Sequence, residues 1–307
     1  MRIVVTGATG NIGSALLPRL TRFADVAGIA RHVPTDGGVT WHAADIGAPG
    51  TDLTALFAGA DAVVHLAWNI VAGHDRADQK AIDLYGTSAV AAAARAARVR
   101  HLVHLSSAAV YSPRLSRTPV TEGWRRRGIP ESSYSRDKVA AEDLLDRVTG
   151  LRIARIRPPA VLQPSAAAGL ARMALGFTPP VNRVPLLPLP ARTVIQAIAA
   201  DDVADLVVRV LRAGATGAFN AAGEPALSAP ALASLLGGRH LPVSRTALRR
   251  LLAVTWGLRL QRLDASWANL LVDTPLLDCT RAREELGWRP SHDAREVVRE
   301  ARSASTR

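Results

Sequence analysis

Short apolar runs alternate with amphipathic or alanine-rich stretches through the first half of the chain, the pattern of parallel strands joined by helical crossovers. The runs predict strands over Arg2–Thr6, Asp25–Ala30, Ala62–Ala67, His101–Ser106 and Leu151–Arg157. The spacing between them predicts helices over Ile12–Arg22, Leu53–Phe57, Lys80–Arg98 and Ser135–Val148. A further strand is expected at Thr193–Ala199, then a helix over Asp202–Arg212 and a last edge strand over Ala218–Ala221. From Thr178 to Pro190 five prolines exclude the interior of a regular helix or sheet. Beyond Gly223 the chain reads as short helices with loops, ending in a helix over Arg281–Leu286 stopped by Gly287 and Pro290.

With 307 residues, 48% of them apolar and 21% charged, the chain can bury a sizeable core in one large or two small domains. No window of 18 uninterrupted apolar residues exists, and the apolar start at Met1–Val5 is too short for a signal peptide. The expected setting is cytoplasmic, with no membrane partner. A single cysteine, Cys279, excludes an intrachain disulfide framework. The eight histidines lack metal-ligand spacing, so no metal site is expected. The net charge of +12 changes this picture little. Of 38 basic residues only Lys80 and Lys138 are lysines, and the arginines are mostly scattered singly, with Arg125-Arg126-Arg127 the longest run. Nucleic-acid binding needs clustered charge, so no such partner is expected, although the field suits an anionic cofactor.

Strand Arg2–Thr6 runs directly into Gly7-Ala8-Thr9-Gly10-Asn11-Ile12-Gly13 and then a helix. Glycines there permit a tight turn, close approach of backbone to a pyrophosphate and tight helix packing, and the helix N-terminus offers unpaired N–H groups. The expected fold class is therefore α/β, a Rossmann-type doubly wound parallel sheet with a smaller, irregular C-terminal substrate-binding region. The dinucleotide domain is expected over 1–162, completed by 193–222, and the substrate region over 163–192 and 223–307. The Gly-x-x-Gly-x-x-Gly spacing after a threonine resembles the extended short-chain dehydrogenase/reductase superfamily, in its NAD(P)-dependent epimerase/dehydratase family.

Tyr134 and Lys138 stand at i and i+4, on one helix face, in a chain with three tyrosines and two lysines. A nearby ammonium favours a phenolate, so the pair predicts a tyrosine able to exchange protons with a carbonyl or an alcohol. Upstream, Ser106-Ser107-Ala108-Ala109-Val110-Tyr111 ends a strand with two hydroxyls. The family pattern selects Ser107 as the hydroxyl that holds the reacting oxygen and leaves Ser106 to local backbone contacts. The resemblance further implies an adenine contact at Asp45 and Ile46. It implies a cofactor-lining segment at Leu66 and Ala67, and a strand ending at Pro158 beside the nicotinamide. Its C-terminal helix ending matches Glu285–Pro290, so it spans Val4 to Pro290.

Departures from the family bear on the substrate. Asp83 stands where the family often has asparagine, and Ala108-Ala109 occupy the places of the dehydratase Asp-Glu pair, which sets water elimination aside. No asparagine follows the strand after the Tyr–Lys helix, and the expected substrate region, including Leu186–Pro190 and Trp256–Leu260, is strongly apolar. Arg183 or Arg192 could still serve a sugar nucleotide. The resulting expectation is an NAD(P)-dependent oxidoreductase interconverting a carbonyl and a secondary alcohol on a small to medium, fairly apolar molecule. Its catalytic residues would be Ser107, Tyr134 and Lys138, with Lys138 lowering the tyrosine pKa and binding ribose. Cofactor contacts would come from Gly7, Gly10, Asn11, Ile12, Gly13, Arg31, Asp45, Ile46, Leu66, Ala67, Tyr134, Lys138 and Pro158. The second strand ends in Arg31 with no acid, which suits a 2′-phosphate, so NADP(H) is expected over NAD(H). The alternatives are a nucleotide-sugar epimerase with tightly held NAD and a non-catalytic NADP sensor. The site is expected beneath Thr178–Pro190 and Leu248–Leu263, and a homodimer through helices Lys80–Arg98 and Ser135–Val148.

Overall fold

In β1 (Arg2–Thr6) successive side chains enter different cores, Ile3 and Val5 on one side of the sheet and Val4 on the other. That two-residue period, with both faces buried, is what a central parallel strand requires. The computed structural model describes residues 1–34, 38–69, 81–164 and 185–304.

The remaining strands and helices follow in chain order: α1 (Asn11–Leu20), β2 (Asp25–Ala30), β3 (Thr40–Ala43), α2 (Leu53–Phe57), β4 (Ala62–His65), α3 (Gly86–Ala96), β5 (His101–Leu105), α4 (Ser133–Asp146) and β6 (Arg152–Arg157). A turn of π-helix at Ala81–Tyr85 leads into α3. Then come β7 (Ala160–Leu162), β8 (Leu186–Leu189), β9 (Val194–Ile195), β10 (Ala197–Ala199), α5 (Ala200–Ala213) and β11 (Gly217–Asn220). The C-terminal part holds β12 (Leu227–Ser228), α6 (Ala229–Leu235), β13 (Arg239–Pro242), α7 (Arg245–Gly257), α8 (Ser266–Asp273), α9 (Thr280–Leu286) and α10 (Ala294–Ala304).

Seven strands form one parallel sheet in the order β11-β6-β5-β4-β1-β2-β3. The order reverses beside β1, the switch point where open sheets of this kind bind ligands. One face is covered by α1 and α5 through Leu16, Leu20, Leu206 and Val210. The other is covered by α2, α3 and α4 through Leu53, Phe57, Val90, Ala94 and Leu145. Trp288, fully buried, joins the first core and donates its indole N–H to the Asp202 carbonyl at 3.0 Å. The Asp202 carboxylate accepts from the Ser291 amide and hydroxyl at 2.9 and 2.7 Å, so two anchors tie the segment after α9 to α5.

The doubly wound parallel sheet is as the alternating pattern predicts, with the expected β1, β2 and α2 ends unmoved and the others shifted by at most six residues. Thr193–Ala199 divides into β9 and β10, which pair with different partners. Pro188 lies in β8, but among the described residues β8 pairs only with β13, so the proline occupies an edge. The sequence reading missed α10, although its buried Ala294, Val297 and Val298 recur at i, i+3 and i+4 along one helix face. Lys80, Arg183 and the stretch Thr178 to 184 lie outside the described residues. Among the described residues no helix is long and apolar enough to cross a membrane.

Candidate functional site

The carboxyl ends of β1, β2, β4, β5 and β6 lie along one edge of the sheet on either side of the switch point, and most of the expected site residues follow those ends. After β1 the chain turns at Gly7 with φ +69°, in the left-handed region. A Cβ on Gly7 would stand 2.6 Å from the Ala67 amide nitrogen, and one on Gly13 would stand 2.3 Å from the Ala8 carbonyl oxygen. Gly7 therefore lets the loop rest on the end of β4, and Gly13 lets α1 rest on the loop. Gly10 caps α1 without a side-chain acceptor, and the first turn carries no acid. Ile12 is buried, and Asn11 donates to the Val161 carbonyl at 3.0 Å while its own Oδ1 is buried without a partner. Unpaired amides, a helix dipole and an orphan acceptor fit a dinucleotide pyrophosphate and its ribose. Gly13→Ala is expected to cost about 1–3 kcal/mol of stability through overpacking and to weaken dinucleotide binding. Thermal melts with and without cofactor check both, and an unchanged Tm would refute this packing account.

Around that loop, Leu66 is buried and its amide donates to the Thr6 carbonyl at 3.0 Å. Ile46 is buried in the second core, and Asp45 accepts from the Gly47 amide at 2.9 Å. Arg31 is exposed just past β2, with no ion-pair partner among the described residues. The Pro158 carbonyl accepts from the Ala108 amide at 2.8 Å, fixing the loop after Ser107 to the end of β6.

Ser107, Tyr134 and Lys138 come together. Ser107 caps a short turn at Ala108–Val110, its Oγ accepting from the Ala109 amide at 3.1 Å, and its hydroxyl lies beside the Tyr134 phenol, close enough to pull the phenol's pKa down. The first turn of α4 is fastened to that loop by buried Ser135, which donates to the Ala109 carbonyl and accepts from the Ile129 amide, both at 2.6 Å. Tyr134 stacks on Trp267 at 5.9 Å and meets Trp68 edge-on at 6.4 Å. Lys138 donates to the Leu105 carbonyl at 2.8 Å and lies 3.4 Å from the centre of the Trp68 ring.

The electrostatics correct one expectation. Burial pushes the Tyr134 phenol up to about 12, partly opposed by Ser107 and reinforced by the Asp83 charge. Lys138 is not among the groups that shift it, and its Nζ is directed to the Leu105 carbonyl and the Trp68 ring. Burial lowers Lys138 to about 7, with Asp83 and Glu142 opposing. Burial likewise raises Asp83 to about 7 against the pull of the Asn69 amide, which donates to it at 2.7 Å. The phenol is thus a proton donor at neutral pH. Ser106 also differs from expectation, since it donates to the Glu142 carboxylate rather than to local backbone.

Glu142, fully buried one turn beyond Lys138, also receives the Arg157 guanidinium through Nε at 2.9 Å and through Nη2, and Arg126 at 3.2 Å. Arg157 in turn donates to the Tyr111 hydroxyl at 3.0 Å, and Tyr111 to Asn220 at 2.6 Å. His65 bridges Thr6 and Thr87 at 2.7 and 3.0 Å, and burial lowers it to about 3, so it stays neutral. One wall of the site comes from α8, through Trp267 and Leu270, and Leu248 and Leu252 pack behind that helix against Ala268 and Leu271. Sequence reasoning missed Trp68, Ser135, Glu142 and Trp267. The i+4 relation of Glu142 to Lys138 was a usable signal, whereas nothing local marks Trp267.

The model of the NAD dependent epimerase/dehydratase family matches residues 3–222. Uncharacterized proteins of Mycobacterium tuberculosis (strain H37Rv) and Mycobacterium bovis are 29% identical over 304 residues, 97% of this chain. The chain spans 29% of the length of those relatives. Among solved structures, a UDP-glucose 4-epimerase of Thermus thermophilus with NAD superposes with a TM-score of 0.75 at 19% identity, covering 99% of each chain. MoeE5 in complex with UDP-glucuronic acid and NAD gives 0.74 at 19% identity, again over 99% of each chain.

Proposed function

Because the chain belongs to the NAD dependent epimerase/dehydratase family, we propose that it is an NAD(P)-dependent oxidoreductase of the extended short-chain type, interconverting a carbonyl and a secondary alcohol on a small to medium, fairly apolar substrate. The observation that carries this reading is the Ser107–Tyr134 contact with Lys138 one turn along the same helix. A bound nicotinamide supplies the hydride. Tyr134, protonated at neutral pH, gives its proton to the carbonyl oxygen, and the Ser107 hydroxyl bonds the same oxygen and stabilises its developing charge. Lys138 would hold the nicotinamide ribose. Gly7, Gly10, Asn11, Ile12 and Gly13 would hold the pyrophosphate, Asp45 and Ile46 the adenine, and Leu66, Ala67 and Pro158 the nicotinamide side. Trp68 and Trp267 form aromatic walls suited to an apolar substrate. NADPH oxidation with a panel of ketones and aldehydes tests the reading, and cofactor binding without turnover on any of them would favour a sensor.

Arg31 supports a preference for NADP(H). A charge-assisted contact to a 2′-phosphate contributes about 1.5–3 kcal/mol, so Arg31→Ala is expected to weaken NADPH about 10–100-fold and leave NADH unchanged. Calorimetric titration with both cofactors checks this, and tighter binding of NADH by the native chain would remove the preference.

The likeness to UDP-sugar epimerases supports a second reading, a nucleotide-sugar epimerase with tightly held NAD. Stoichiometric NAD retained through purification, with interconversion of UDP-hexoses, would favour it. We assign cofactor binding to 1–162 with 193–222 and substrate binding to 163–192 with 223–307. We also propose homodimerisation through α3 and α4, whose shared groove is lined by Ala91, Ala92, Leu144 and Val148. A monomer by light scattering would overturn it.

A further inference from the structure

Helix α7 is apolar on two sides. Its inner side, Leu248 and Leu252, packs with Leu187, Leu189, Ala268 and Leu271 in a small core. Its outer side should then be polar. Instead Leu251, Val254 and Leu258, spaced i, i+3 and i+7, are 47%, 60% and 65% exposed, and Leu260 just beyond is 59% exposed. Arg259 ends the helix in the left-handed region at φ +55° and so sits between two exposed leucines.

Within the segment that carries this row the charge is of one sign. From Pro225 to Leu263 the chain contains no aspartate or glutamate, but it contains Arg239, Arg245, Arg249, Arg250, Arg259 and Arg262. Arg245 is bound to Asp273 and Asn269, and Arg249 to Asn269 and Glu131. Arg250, Arg259 and Arg262 are exposed and have no carboxylate partner among the described residues.

We propose that the outer face of α7, with Leu258 and Leu260, docks on the surface of an anionic lipid bilayer. An apolar row flanked by arginines along an outward helix and the turn that follows it is a form that lies in a bilayer interface, its side chains among the acyl chains and its cations among the headgroups. A second copy of a chain with net charge +12 would bring like charge against like charge, which argues against self-association through this face. The proposal refines the expectation of no membrane partner, which rested on the lack of a spanning segment and not on a surface. It stands apart from the proposed reaction. It also sets the candidate site close to the interface, since Arg245 ties α7 to α8 and α8 carries Trp267.

Vesicle flotation of the full chain tests it, with phosphatidylcholine vesicles alone or mixed with phosphatidylglycerol. The native chain is expected to float with the anionic vesicles at least ten-fold more than with phosphatidylcholine alone, and less at high salt. The double substitution Val254→Asp, Leu258→Asp should lower flotation at least ten-fold while the circular dichroism melt is unchanged. Arg250→Gln with Arg262→Gln should lower it without touching the apolar row. The proposal is overturned by no flotation with anionic vesicles, or by equal flotation of a folded Val254→Asp, Leu258→Asp chain. Tight binding of a polyglutamate peptide that the double substitution leaves intact, without flotation, would instead identify an acidic protein partner.

Discussion

Tyr134→Phe is expected to lower kcat by about 10²–10⁴-fold, the usual contribution of a positioned general acid, while dinucleotide affinity changes little. The substitution keeps the ring that stacks on Trp267 and meets Trp68, so the wall of the site survives and only the proton is lost. Ser107→Ala should also reduce the rate, since it removes the hydroxyl in contact with the phenol. Lys138→Met should weaken cofactor binding as well as turnover. With the phenol held near 12 by burial, carbonyl reduction should show no loss of Tyr134 protonation between pH 6 and 9. Steady-state rates across that range, on any carbonyl the native chain reduces, decide the matter. Turnover of Tyr134→Phe within a few-fold of native would exclude the tyrosine as the acid.

Glu142→Gln is expected to destabilise the fold by about 3–5 kcal/mol, the cost of stranding a buried charge. Arg157 would lose its carboxylate among Tyr111, β6 and α4, where it is 5% exposed. Burial pushes the Glu142 carboxyl up, yet hydrogen bonds and charge from Arg157, with Ser106 and Arg126, together hold it below its usual value. Its folded pKa lies below the unfolded value of about 4.3. The stabilisation it contributes is therefore present above that pH and is lost as pH falls through the folded pKa. Urea unfolding from pH 7 down to pH 3 should show a steeper acid loss for the native chain than for Glu142→Gln. Parallel acid limbs would place the acid sensitivity elsewhere.

This network explains why Lys138 can sit at 1% exposure. Its helix is fixed at one end by Ser135 on the Ser107 loop and at the other by Glu142 on β6, so the lysine is held where burial is costly. None of those contacts joins residues of one local segment. The Ser135 hydroxyl and Ala109 carbonyl are 26 residues apart, and Ser106 and Glu142 are 36 apart.

What was legible in the sequence was what local physics dictates. Alternating apolar positions dictate buried parallel strands, Gly7 and Gly13 are needed wherever a loop must touch a strand end and a helix, and the i, i+4 spacing puts Tyr134 and Lys138 on one face. Only the tertiary structure decided the electrostatic state of those groups. The phenol is raised rather than lowered because burial dominates, and the Lys138 Nζ is directed to the Leu105 carbonyl and the Trp68 ring. It also decided that Trp267, from a helix far along the chain, becomes the wall beside Tyr134. Periodicity reports which face of an element is buried, and the charge of a side chain depends on what the rest of the chain brings against that face.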